Sequence, residues 1–369
     1  MKVKKMLITL IVAIVFLSGC WDAKEIEKQF LVWGMGWDKS EDNSKNLTLT
    51  LSSPTTAQNA KDDYITVTTA GDSVEDAKSN AQAQLYRSIE MGHMRILIIG
   101  EDLAKEGIQK LLDSLGRNPR INRETTIAVV KGKAADVWEI EHPSNPLPSG
   151  YVVNLIKTNS HFSNAHNVTF RDFFEALSRA GEEPVTPYLT ISKDEKTINA
   201  KAIAVFKGNK MVGTLDDEEL RAFEMIINEL DDGTYTIGQV MEGTEDSVTV
   251  SFRTLSTEIK SEVKGDTPYI NLTIQAEVDI IEQTSLVSAV SEEYIKGVEK
   301  NLTAQLQREV TKTIKKVQKE YKSDIFGFGR YFRAYHTDFW KSHKWSEEFP
   351  NLKVDSKIKV YVRRVGIER

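Results

Sequence analysis

Met94-Arg-Ile-Leu-Ile-Ile-Gly-Glu-Asp-Leu-Ala-Lys-Glu-Gly-Ile-Gln-Lys-Leu-Leu-Asp-Ser-Leu115, followed by Thr125-Thr-Ile-Ala-Val-Val130, carries the alternation from which the architecture follows. The short apolar run Met94 to Ile99 reads as a strand, Asp102 to Leu115 as a helix, and Thr125 to Val130 as a second strand. Upstream, Phe30 to Asp38 reads as a strand entering a hairpin with Lys45 to Ser52, and Tyr64 to Thr69 as a further alternating strand. Ser73, with Asp76 three residues on, caps a helix whose apolar positions Val74, Ala77, Ala81, Leu85 and Ile89 recur at helical spacing. Strands alternating with helices imply helices packed on a mixed sheet. The fold class is α+β, multi-domain, with mixed and antiparallel sheets.

Downstream, Glu141 to Gly150 crowds three prolines into ten residues and marks a loop. Helices follow at Tyr151 to Lys157 and Thr169 to Arg179, the second closed by Gly181. The polar stretch Lys193 to Thr197 is the best boundary, so an N-terminal α/β region spans 20–195, with a division into two modules near 133–150, and a C-terminal α+β domain spans 196–369. That domain opens on a hairpin, Ala200 to Phe206 and Lys210 to Gly213, around Lys207-Gly208-Asn209. Thr214, Asp217 and Glu218 begin a helix to Leu230, and long strands run from Tyr235 to Lys264 and from Tyr269 to Ile281. Glu292 to Lys322 is the strongest helical pattern, about 46 Å long at 1.5 Å per residue. Leu302, Leu306, Val310, Ile314, Val317 and Tyr321 form its apolar stripe, with lysines over much of the rest. An aromatic-rich segment, Phe326 to Phe349, and a strand, Lys353 to Val362, end the chain.

The other informative end is the first twenty residues. Lys2, Lys4 and Lys5 precede an apolar run, Met6 to Leu17, too short to span a bilayer, which needs about 20 residues. Leu17-Ser-Gly-Cys20 then places the single cysteine of the chain behind two small residues, the pattern of a bacterial lipoprotein signal. On this reading 1–19 is a signal peptide, removed, and Cys20 carries a diacylglyceryl thioether and an N-acyl chain. More than one acyl chain makes such an anchor durable. A signal cut elsewhere, or an uncleaved anchor with an incidental cysteine, is the alternative.

The formal charge of −6, more negative once the signal lysines go, disfavours nucleic acid as a partner. With no second cysteine, neither an intramolecular disulfide nor a thiolate metal site is available. About 350 residues beyond the signal suggest two or three domains. The six histidines are scattered, and His161 and His166 lie too far apart for a helical metal pair. No Gly-x-Ser-x-Gly elbow is present. Gly34-Met-Gly36 and Gly327-Phe-Gly329 lack the third glycine of a phosphate loop and read as bulges or tight turns. Asp216 to Glu219 reads as a helix start, and Glu139 and Glu141 have no assigned role. No catalytic, cofactor or metal residue is nominated. Lys312, Lys316 and Lys319 on the long helix are either a solvated face or a candidate partner surface for an anionic group.

Several stretches resemble the Ger(x)C family, the lipoprotein C subunits of bacterial spore germinant receptors. They are Gly19-Cys-Trp-Asp-Ala-Lys-Glu-Ile-Glu27, with Cys20, Trp21, Asp22 and Glu25; Gly34-Met-Gly-Trp-Asp-Lys39, with Gly34, Gly36 and Asp38; and His93-Met-Arg-Ile-Leu-Ile-Ile-Gly-Glu-Asp-Leu-Ala104. Ala202-Ile-Ala-Val-Phe-Lys207, Asp324-Ile-Phe-Gly-Phe-Gly329, Trp345 and Val362-Arg-Arg-Val-Gly366 continue the series in order. Trp37 stands where the family is usually aliphatic, and Asn118-Pro-Arg120 departs from its more frequent Arg-Asp. The resemblance implies three small mixed modules and a non-enzymatic protein, lipid-anchored at the outer face of the spore inner membrane. It implies two integral membrane subunits as partners and nutrient-triggered germination as the outcome. A solute-binding lipoprotein beside a transporter and an envelope hydrolase are the rivals; the first calls for two similar lobes, the second for a compact acid/base or metal constellation.

Overall fold

A computed structural model describes residues 4, 25–41, 44–55, 63–140, 147–192, 194, 196–230, 232–238, 246–284 and 291–366. Cys20, Trp21, Asp22 and Glu141 lie outside them. The chain begins with β1 (Gln29–Leu31), β2 (Gly34–Lys39), β3 (Leu47–Pro54), β4 (Tyr64–Gly71) and α1 (Val74–Ala83). It continues through β5 (Ser88–Glu90), β6 (Ile96–Gly100), α2 (Glu101–Glu106), α3 (Gln109–Arg117), β7 (Thr126–Val130) and a 3₁₀ turn, Ala134–Glu139. Next come α4 (Pro148–Ser160), α5 (Phe170–Ser178), β8 (Val185–Ser192), β9 (Thr197–Asn199), β10 (Ile203–Lys207), β11 (Lys210–Leu215) and α6 (Asp217–Ile227). The remainder is β12 (Thr234–Gly238), β13 (Ser247–Lys264), β14 (Thr267–Gln283), α7 (Glu292–Lys316) with a π-helical turn Val317–Tyr321, α8 (Phe328–Tyr335), α9 (Thr337–Ser342), α10 (Trp345–Glu348) and β15 (Lys353–Val365).

Nine strands form the first sheet, in the order β11-β10-β8-β7-β6-β2-β3-β4 with β9 on β8. β2, β6, β7 and β8 run parallel, while β3, β4, β10 and β11 extend the sheet by antiparallel pairing, so the sheet is mixed. Its central strands are buried on both faces, as a parallel core covered on two sides must be. One face packs Leu97, Ile99, Ile127 and Val129 into the main core, and the other packs Ile96, Ile98, Ala128 and Val130 against Trp138, Val152 and Ile156.

The second sheet has the order β12-β13-β14-β15. β13 and β14 form a long antiparallel hairpin, whereas β15 returns parallel to β14. A parallel return needs a crossover, and α7 supplies it. Tyr294, Val298, Leu302, Leu306, Val310 and Ile314 of α7 are all buried, as are the alternate residues Ile270, Leu272, Ile274, Ala276 and Val278 of β14. Each large buried apolar side chain of this stripe contributes roughly 2 kcal/mol to the stability of the unit. Both sheets contribute to one continuous core.

Several local expectations change. The strand read over Tyr235 to Lys264 is two strands, β12 and β13, paired antiparallel with each other. The helix read over Asp102 to Leu115 is two helices, because Gly107 takes φ 127 between them and turns Ile108 into the core. Leu85 and Ile89 are not on α1, which ends at Ala83; Ile89 lies in β5, paired in parallel with Phe30 of β1. The run Phe30 to Asp38 is accordingly split into β1 and β2. Gly34 and Gly36 form neither bulge nor turn, since β2 pairs in unbroken register with β3 from Gly34↔Ser52 to Lys39↔Leu47. On either side of the domain boundary read near residue 195, β8 and β10 pair in one sheet, so the two regions share strands.

Candidate functional site

The motif residues gather into two clusters and one helix face. In the first cluster, a Cβ on Gly34 would stand 2.3 Å from Cη2 of Trp138, and one on Gly36 would stand 3.0 Å from Nε1 of Trp138. The two glycines leave a flat strand surface on which the indole lies. Asp38, at the end of the same strand, accepts hydrogen bonds from the backbone N–H of Ala134 at 2.7 Å and of Ala135 at 3.0 Å. Burial pushes its carboxyl up from the ordinary range, against the pull of these two N–H groups. Gly34, Gly36 and Asp38 thus perform one task, receiving the 3₁₀ turn Ala134–Glu139. Trp138 is the partner that sequence reading missed; its only signal was a large aromatic residue in a segment without periodicity.

The second cluster is built on Asp324, 3% exposed. Its Oδ1 accepts from Phe328 N–H at 3.1 Å, and its Oδ2 accepts from Gly329 N–H at 2.8 Å and from Trp345 Nε1 at 2.8 Å. The carboxylate therefore caps α8, whose N-terminal N–H groups lack intrahelical partners, and fixes the indole of α10. Burial pushes Asp324 up to about 7, with the three N–H donors opposing that rise. Gly327 holds the turn at φ 68. A Cβ on Gly329 would meet Gly181 Cα and Trp345 Nε1 at 2.5 Å each, so α8 touches the backbone of the first unit. Glu183 N–H donates to Asp324 O at 2.9 Å, and Arg330 lies 3.4 Å from Glu182. Asp324, Gly327 and Trp345, the last 21 residues beyond the first, form one clasp between the C-terminal helices and the segment leading into β8.

The lysine face divides. Lys316 Nζ donates to Glu219 Oε2 at 2.7 Å and to Thr214 O at 3.1 Å, and is partly buried. The same Glu219 oxygen accepts the N–H of Asp216 at the start of α6. Lys319 is exposed and reaches Pro350 O at 2.7 Å, while Lys312 is exposed. With Arg308 and Lys315 they border a shallow open groove of about 640 Å³ along α7. Lys316 belongs to the fold, and Lys312 and Lys319 are left to solvent or a partner.

Glu25 is exposed and paired with Lys28 at 2.8 Å, and His93 is exposed in the turn before β6. His166, dismissed as a metal ligand, lies 3.6 Å from Glu224 and 3.7 Å from Glu229. Burial raises the Glu224 carboxyl, with His166 beside it pulling the other way. Among the described residues no group of three or more His, Cys, Asp and Glu is placed to hold a metal ion, and no helix is long and apolar enough to cross a membrane.

Two sheets on a shared core, joined by the Asp324 clasp, define a two-unit α+β protein whose motif residues dock segments onto one another. Residues 22–191 match the family described as the spore germination protein N-terminal domain, and residues 201–366 match the C-terminal domain described as spore germination B3/GerAC like. The chain belongs to this spore germination family, the Ger(x)C family. It is 25% identical to spore germination protein KC of Bacillus subtilis (strain 168), over 98% of this chain and 95% of that one. It is 24% identical to spore germination protein B3 of the same organism, over 93% and 94%, and 23% identical to spore germination protein GerQC of Bacillus cereus, over 96% of each. The crystal structure of the GerBC protein has the same fold, with a TM-score of 0.57 at 18% identity over 92% of this chain and 99% of that one.

Proposed function

We propose that this chain is the lipid-anchored, non-enzymatic subunit of a spore germinant receptor, held by Cys20 at the outer face of the spore inner membrane and joined there to two integral membrane subunits. The observation that carries the reading is the match of both family domains along nearly the whole chain, with relatives named as spore germination proteins over at least 93% of their lengths. The lipoprotein pattern Leu17-Ser-Gly-Cys20 supports the anchor, and the absence of a second cysteine leaves Cys20 no disulfide partner within the chain. The clusters support a docking role: Asp38 and Asp324 are turned onto backbone N–H groups and an indole, which orders segments but presents no reacting atom. The exposed lysines of α7 are the candidate surface for a partner subunit.

Cys20→Ala tests the reading. In spores, the variant chain is expected to fold, to lose its acyl mass, and to lower the response to nutrients sharply. A variant that responds like the native chain while lacking the acyl groups would overturn the functional importance of the anchor. Isolation of the native chain from spore membranes without any integral membrane protein alongside it would overturn the receptor assignment.

A further inference from the structure

We infer that the end of the first sheet at which the chain enters lies against the bilayer, and that an arginine-rich surface there binds the anionic phospholipid headgroups of the membrane to which Cys20 is tethered. The inference rests on the lipid anchor proposed above. Glu25 stands five positions after Cys20, with four residues between them, a reach of at most about 17 Å even when fully extended. β1 begins four residues later and pairs with β5, so whatever surrounds β1 and β5 is held close to the lipid.

The parallel strands decide what surrounds them. β2, β6 and β7 all start at this end, so the segments leading into them, around Trp33, 91–95 and 118–125, share it with β1 and β5. Direct contacts confirm the neighbourhood: Arg95 N–H donates to Trp33 O at 2.8 Å, Thr125 Oγ1 donates to Met94 O at 2.9 Å, and Arg171 N–H donates to Arg123 O at 3.0 Å. In a chain of net charge −6, this end exposes Arg95, Arg117, Arg120 and Arg123. The carboxylates nearest them are engaged by cations, Glu25 with Lys28 and Asp172 with Arg171, and Glu27 and Glu75 also lie at this end. Glu90 is 3.9 Å from Arg120, and Glu124 is paired with Arg171. Charge complementarity therefore favours an anionic surface.

Aromatic residues accompany the arginines. Arg95 stacks over Trp33 with Cζ 3.8 Å from the ring centroid, and Tyr86, beside β5, is 89% exposed. Rings with a polar edge suit the headgroup layer, and guanidinium groups suit phosphate by their fork of donors. The lysine groove of α7 is a separate surface. Lys316 of α7 is bonded to Thr214 of β11, and β11 stands five strands from β2, about 24 Å at the usual strand spacing. The lipid-facing end and the lysine face are thus available at the same time.

Two single-cysteine reporters test the orientation in the full lipidated chain, where Cys20 is blocked by its acyl group: Tyr86→Cys at the arginine end, and Lys131→Cys, exposed just beyond the opposite end of β7. Each is labelled with an environment-sensitive dye and reconstituted in phosphatidylglycerol-containing or pure phosphatidylcholine vesicles with headgroup-attached quenchers. The Tyr86→Cys label is expected to be quenched several-fold more than the Lys131→Cys label on anionic vesicles. The preference should fall about five-fold for each of Arg117→Glu and Arg120→Glu, and vanish at about 1 M salt, where the screening length is about 3 Å. Equal quenching at the two positions, or a preference unchanged on neutral vesicles and in high salt, would overturn it. The salt series stands even if the reversed-charge variants fail to fold. Failure of the anchor reads out separately, as chain without acyl mass that does not float with vesicles.

Discussion

Asp324 collects three N–H donors in a site closed to water, and its protonation is consequently tied to folding. Burial raises its folded pKa to about 7, above the unfolded value near 4. A carboxyl raised in this way contributes most to stability below about pH 4, and that contribution is lost as pH rises through about 7. Asp324→Asn cannot ionise and presents an amide N–H₂ where a carboxylate oxygen accepted. At pH 7 to 8 it should lower stability by about 1–3 kcal/mol, the cost of a buried donor left without a partner. The gap between native chain and variant should widen as pH falls from about 7 to 5. Denaturant melts at several pH values measure it, and a gap independent of pH over that range would show that the carboxyl ionises normally in its site. The identity of Asp324, Gly327 and Trp345 as a set was legible in the sequence, because they belong to an ordered series of family motifs. Their meeting at one point was not, since no local pattern states that an indole 21 residues on will reach the same oxygen.

Elements with strong period were legible, and their interruptions were not. The stripe from Leu302 to Tyr321 identified the long helix, and the β-branched composition of Tyr269 to Ile281 identified the strand beneath it. Where a single residue decides, the pattern continued past the break: Gly107 ends α2 inside an apparently continuous helix, and Ile89 keeps helical spacing although it pairs with Phe30 in a strand. The lysine face of α7 shows the same limit, because spacing alone does not separate Lys316 from Lys312 and Lys319. Lys316 neutralises Glu219, which is 5% exposed and fixes the start of α6, whereas its neighbours extend outward. Lys316→Glu sets a second carboxylate against that buried one and should destabilise the chain by about 2–4 kcal/mol. The double variant Lys312→Glu, Lys319→Glu should change thermal stability by no more than about 1 kcal/mol, yet reduce recovery of partner subunits from solubilised spore membranes. Undiminished recovery would assign that face to solvent, and a Lys316→Glu chain as stable as native would show that the Glu219 pair is dispensable.

At the scale of the whole molecule, the family domains divide between residues 191 and 201, and hydrogen bonding nonetheless carries the first sheet across that division through β10 and β11 to Leu215. The long-range contacts responsible have no sequence signature. Ser323 Oγ donates to Phe206 O, Tyr321 OH donates to Thr214 O at 2.8 Å, and Glu183 N–H donates to Asp324 O, so the end of the long helix is bonded to the edge strands and to the entry of β8. The two sheets also share one apolar core. A molecule joined in this way should unfold as one unit, since neither half can open without exposing that core and the donors of the clasp. Gly329→Val addresses the joint together with the Trp345 indole packed beside it. Its Cβ would lie 2.5 Å from both Gly181 Cα and Trp345 Nε1, so the strain is relieved by lifting α8 away from the segment before β8 and displacing the indole. Calorimetry of the native chain should show a single transition, and the variant should melt earlier by several degrees, with new proteolytic sensitivity confined to 323–349. Two resolved transitions in the native chain would mean that the sheets are thermodynamically separate despite their common core, and a variant that melts with the native profile would show that the glycine contact does not hold the units together.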